Sequence, residues 1–77
     1  MNPEQVKAMI EAGVDGATAT VRDMTGTGDH FDAIVQSHAF EGKTMVQQHQ
    51  MVYAALGQAM AGPVHALKLK TLTPPKE

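Results

Sequence analysis

Four histidines, His30, His38, His49 and His65, are the side chains of this 77-residue sequence best suited to chemistry. There is no cysteine. A thiolate ligand, a disulfide and a cysteine nucleophile are therefore unavailable, and imidazole is the main borderline metal donor. His30 follows the loop Thr25-Gly26-Thr27-Gly28-Asp29 and opens one strand-like run; His65 opens another. Strands that run parallel start at the same end of a sheet. Neighbouring strands would set the two backbones about 5 Å apart, and one intervening strand about 10 Å. Two readings are open. The pair could face one exposed metal site whose remaining ligands come from a partner, since two ligands alone hold a metal poorly. The other reading, which spacing alone favours, is that both are strand-end histidines satisfied by local hydrogen bonds. His49 falls on the apolar stripe of a long helix and reads as a packing residue with one backbone hydrogen bond. His38 lies in a connection and is expected to be exposed.

Other chemistry is thin. No serine–histidine–acid set, phosphate loop or metalloprotease helix is present, so nothing in the sequence supports an enzyme. Gly13-Val14-Asp15-Gly16 fits a GxxG pattern. It joins a helix to a strand, whereas the loop of that kind that clamps nucleic acid joins two helices. Six methionines read as gap-fillers of a small core. Lys68 and Lys70 read as a solvated face.

The elements that must position these residues follow from spacing. Asn2 can cap a first helix over Pro3–Ala12, with Pro3 at its first position and Val6, Met9 and Ile10 on one face. Gly13 and Gly16 end it. Ala17–Asp23 alternates small or branched residues with Thr18, Thr20 and Arg22, which predicts a strand. His30–Gln36 predicts a second, with Phe31, Ala33 and Val35 on one face, and the short connection makes the two an antiparallel hairpin. Thr44–Ala61 is the longest helical pattern: Met45/Val46, His49, Val52/Tyr53, Leu56 and Ala59/Met60 share one stripe. Gly62-Pro63 stops it. Val64–Thr71 predicts a third strand, with Leu67 and Leu69 alternating with Lys68 and Lys70. The result is an α+β chain of order αββαβ: one small domain over residues 1–77, with a core near 3–74 and a short tail at 74–77. The sheet is expected to have three strands and to be mixed. Both helices should cover the face of Val21, Phe31, Val35, Leu67 and Leu69, and the other face should stay wet.

Composition bounds the function classes. Hydrophobic residues are 43% and charged residues 18%, a globular balance rather than that of a disordered tail. Net charge is −2, which gives no general attraction to nucleic acid or anionic membranes. No apolar run approaches the ~18 residues of a membrane span. Met1–Ile10 lacks the basic start and apolar stretch of a secretory signal, so a cytoplasmic location is expected.

The ordered fragments Gly28-Asp29-His30-Phe31, Ser37-x-x-Phe40-Glu41-Gly42-Lys43, Val46-Gln47-Gln48-His49-Gln50-Met51-Val52-Tyr53-x-x-Leu56, Val64-His65-Ala66-Leu67 and Lys70-Thr71-Leu72-Thr73-Pro74 together resemble the BolA family. The resemblance covers about Pro3 to Pro74 and implies a class II KH-like fold. It also implies a partner, a monothiol glutaredoxin with a CGFS active site, and a [2Fe–2S] cluster shared with that glutaredoxin and glutathione. The family's ligand at the start of the last strand matches His65; a second ligand, in or just after the hairpin loop, leaves His30. The family's helix histidine matches His49 and is not the usual ligand. Some members bind DNA or regulate transcription, cell shape and stress response. Three departures stand out: Gln48 replaces a frequent arginine, the hairpin loop holds no further histidine or cysteine, and the usual tryptophan-containing last helix is missing.

These features imply a non-enzymatic adaptor in iron–sulfur trafficking or iron sensing, carrying no stable cluster alone. The chain is expected to be a monomer or weak homodimer. The alternative is a KH-like DNA-binding regulator. Replacing thiolate by imidazole at one iron raises a cluster's potential, and the bond weakens as pH falls toward ~6.5, where imidazole takes a proton.

Overall fold

A computed structural model describes residues 2–24, 26, 30–57 and 66–75. Helix α1 (Pro3–Gly13) starts where Asn2 caps it: the Asn2 side chain accepts from Gln5 N–H, and the Gln5 side chain accepts from Asn2 N–H. Such a cap adds about 1 kcal/mol to a helix end. Strands β1 (Thr18–Asp23) and β2 (His30–Gln36) form the expected antiparallel pair. A single 3-10 turn, His38–Phe40, opens the connection to helix α2 (Met45–Leu56), which Thr44 caps through a second reciprocal pair with Gln47. Strand β3 (Ala66–Leu72) runs parallel to β2, and the sheet order is β1-β2-β3. This is the expected α+β mixed sheet.

The core joins α1 (Val6, Ile10), the residue after it (Val14), the sheet (Ala19, Phe31, Ala33, Val35), the turn (Phe40) and α2 (Val52, Leu56). Burying each large apolar side chain contributes about 1.5–3 kcal/mol. Val21, Leu67 and Leu69 are half-buried rather than buried as the alternation predicts. The reason is position: they lie on the two edge strands, so the helices cover only the central strand completely. Lys68 and Lys70 are exposed, as expected.

Beyond shifts of a single residue at element ends, one helix end and one helix face differ from the expectation. Helix α2 stops at Leu56 because Gly57 takes a positive φ of 54°, which turns the chain out of the helix. Residues 58–61 of the longer predicted helix lie outside the described residues. Strand β3 is described from Ala66 on; the predicted first residues Val64 and His65 lie outside the described residues. The apolar stripe of α2 is rotated. Val52 and Leu56 are buried, but Met45 (69% exposed), Val46 (66%) and Tyr53 (39%) face outward. The inward side is completed instead by half-buried Gln48, Met51 and Ala55. Gln48 takes that place because three polar groups wait for it there.

Both glycines of the GxxG pattern have packing roles. A side chain at Gly13 would fall on Ala55 Cβ and within 2.8 Å of Ala55 Cα, so α1 and α2 meet there backbone to backbone. At Gly16 a Cβ would come within 2.6 Å of His38 Nδ1, because the imidazole lies against it. Ser37 is buried; its hydroxyl donates to Asp15 O and accepts from Ala39 N–H.

Candidate metal-ligating site

The parallel pairing of β2 with β3 decides the spacing left open by the sequence. The strands are neighbours, and His30 is the register partner of Ala66. Position 65 is next in sequence, but His65 lies outside the described residues. His30 opens β2, is half-buried, and its carbonyl accepts Met24 N–H at 2.9 Å. Arg22, Asp23 and Met24, which lead up to that bond, line an open groove of about 260 Å³ at this end of the sheet.

Strand alternation gives His30 the same parity as Asp32, Ile34 and Gln36, opposite to buried Phe31, Ala33 and Val35. The face away from the helices is therefore a set of cross-strand rows. Arg22, Asp32 and Lys68 form one; Thr20, Ile34 and Lys70 form the next. Arg22 Nη2 lies 3.0 Å from Asp32 Oδ2, and Lys68 is in register on the other side of that carboxylate.

The other histidines are placed apart from this end. His49 is half-buried on the flank of α2, its ring edge-on to Tyr53 at 6.3 Å between centroids. That corrects its expected position in the helix–sheet interface: the rotation of α2 carries it to the margin. His38 is exposed and lies 3.6 Å from Asp15 Oδ2.

A [2Fe–2S] centre needs four ligands, and the donor set tests the fit. The chain has no cysteine, and among the described residues no three histidine, aspartate or glutamate side chains cluster in a way that could hold a metal. These residues fit a contribution of one or two imidazoles to a cluster whose other ligands belong to a partner. Among the described residues, no set fits a cluster held by this chain alone.

Sequence reasoning missed Gln48. Its Nε2 donates to Phe40 O at 3.2 Å and to Lys43 O at 3.0 Å, and its Oε1 accepts from Thr71 Oγ1 at 2.6 Å. One amide thus joins the connection, α2 and β3. The signal was present: positions 48, 52, 55 and 56 form a helical stripe as regular as the chosen one, interrupted only by a polar residue.

Comparison with known proteins agrees with this architecture. The family model described as BolA-like protein matches residues 7–76. BolA-like protein 1 of Bos taurus is 38% identical over 74 residues, 96% of this chain and 50% of the relative. Protein BOLA2 of Arabidopsis thaliana is 36% identical over 75 residues, 96% of this chain and 80% of the relative. The chain thus spans about half the length of the bovine relative. The DNA-binding transcriptional regulator BolA of Escherichia coli is 35% identical over 48 residues, 62% of this chain and 46% of the regulator. Among solved structures, a bolA protein homologue from Coxiella burnetii superposes with a TM-score of 0.83 at 39% identity, covering 96% of this chain and 92% of the homologue.

Proposed function

The chain belongs to the BolA-like protein family, and on that footing we propose that it is a non-enzymatic cytoplasmic adaptor. It pairs with a monothiol CGFS glutaredoxin and lends imidazole to a shared [2Fe–2S] cluster in iron–sulfur trafficking or iron sensing. The observation that carries the reading is the register of β2 on β3. His30 stands directly across from Ala66, the residue that follows His65 in sequence, which supports a ligand pair drawn from His30 and His65. The absence of cysteine supports a shared cluster over a resident one, because the thiolates must come from elsewhere. When present, such a cluster would supply one-electron redox chemistry; this chain's part would be to present neutral imidazole.

The test is to mix the chain with a glutathione-loaded CGFS glutaredoxin holo-dimer and record visible circular dichroism. A new spectrum that saturates near one chain per glutaredoxin is expected. An unchanged glutaredoxin spectrum overturns the reading.

A second reading, a DNA-binding regulator, is favoured by the name of the Escherichia coli relative. Two features weigh against it: a net charge of −2, and an α2 without a single charged residue, which leaves that helix no phosphate contacts from lysine or arginine. A sequence-specific complex persisting at physiological salt would favour it instead.

A further inference from the structure

The open face of the sheet has a composition that the adaptor role alone does not explain. Ile34, on the central strand, is 41% exposed although its neighbours in the row are Thr20 and Lys70. Met24 and Leu72 are also exposed, beside the two ends of β2. Around this apolar line stand Arg22, Lys68 and Lys70 against the single carboxylate of Asp32. These side chains carry a formal charge of +2, so the rest of the chain carries −4. The formal charge is thus unevenly divided, with a positive share on the face that has His30's parity.

We propose that this face, with Ile34 at its centre and Lys68 and Lys70 on its rim, is the docking surface for an acidic face of the protein partner that shares the cluster. The inference rests on the adaptor reading. Continuity supports it: Ile34 is four residues from His30 on the same strand and the same parity, about 13 Å, within the footprint of a small protein interface. Charge supports it too, since an acidic surface is drawn to the +2 side and repelled by the remainder. An apolar centre with a charged rim is the usual anatomy of such a contact. Asp32 argues for a protein rather than a nucleic acid. It lies between Arg22 and Lys68, bonded to the first, and breaks what would otherwise be a cationic row for a phosphate backbone.

The experiment measures calorimetric binding of the full chain to a glutathione-loaded CGFS glutaredoxin at two salt concentrations. Thermal melts check folding. The variants are Lys68→Glu with Lys70→Glu, Ile34→Thr, and Met45→Lys with Val46→Lys on the exposed side of α2. The sheet lysine pair should weaken binding at least about tenfold and remove most of its salt dependence, and Ile34→Thr should weaken it about threefold to tenfold. The α2 pair should stay within about twofold of wild type. Folded sheet variants that bind as wild type overturn the docking surface and leave the adaptor role intact. A wild-type chain that does not bind the glutaredoxin overturns both. A self-association lost in Ile34→Thr would assign the face to a second copy, and a 20-base-pair duplex held through Lys68 and Lys70 would assign it to DNA; either overturns the proposal.

Discussion

Glu11 does two jobs from one oxygen. Its Oε2 accepts from Lys7 Nζ at 2.9 Å and from Ala19 N–H at 3.0 Å, so a helix side chain closes a donor on edge strand β1. The Lys7 hydrogen bond, followed by the Ala19 N–H, holds the carboxyl below its ordinary 4.5. A carboxyl depressed by folding binds its proton less readily folded than unfolded. Its contribution is therefore full above about 4.5 and fades as pH falls through the lower folded value. Glu11→Gln should lower the urea midpoint at neutral pH and flatten its decline as pH falls below about 4.5, as followed by circular dichroism. An unchanged acid limb would show that the bond contributes nothing to acid sensitivity. Gln48 is the second residue with several partners. Gln48→Ala leaves the Phe40 and Lys43 carbonyls and the Thr71 hydroxyl to find water, and should cost about 1–3 kcal/mol in urea unfolding. At this scale the sequence was partly legible. The cap at Asn2 follows from residue type, with its partner three residues away; Thr44, read as the first helical residue, caps α2 with the same spacing. The bonds of Gln48 to Phe40 and Thr71 span 8 and 23 residues, and no local pattern announces them.

Helix pairing turns on Gly13. Replacing it with alanine improves helix propensity by about 1 kcal/mol, but the new methyl lands on Ala55. Backbone cannot yield there as a side-chain tip can, so Gly13→Ala should be net destabilising by about 1–3 kcal/mol. Adding Ala55→Gly should recover only part of the loss, because Ala55 Cα itself would stand 2.8 Å from the new Cβ. A double-mutant cycle of the two changes, read by chemical unfolding, should give a coupling of about 0.5 kcal/mol or more; independent effects would mean that the helices separate freely. The same element shows why its inward face was misread. In Met45–Leu56 the apolar residues nearly encircle the helix, so periodicity admits two stripes. Tertiary partners chose the one containing Gln48 and turned Met45, Val46 and Tyr53 outward. The strands carried no such ambiguity: a period of two leaves only two faces, and β2 alternates cleanly between buried and less buried.

At the scale of the whole molecule, β3 runs parallel to β2 as its neighbour, and this sets where His30 stands relative to β3. Element order was readable from pattern alone, but strand adjacency was not, since one intervening strand was equally compatible with αββαβ. Adjacency brings His30 level with Ala66 and leaves His49 on a different element, at the flank of α2. In mixtures with the glutaredoxin holo-dimer, His65→Ala should abolish the visible circular dichroism of the shared cluster, and His30→Ala should weaken or alter it. The asymmetry follows the resemblance: His65 matches the family ligand at the start of the last strand, whereas the second ligand falls to His30 because the hairpin loop holds no other histidine or cysteine. His49→Ala should leave the cluster spectrum intact. With a ring only half-buried and one edge contact to Tyr53, its loss should lower stability by under about 1.5 kcal/mol. Melting temperatures of all three variants, taken beside the titrations, separate ligand loss from unfolding. A folded His49→Ala chain that loses the cluster while His65→Ala keeps it would move the site to α2, beside Tyr53.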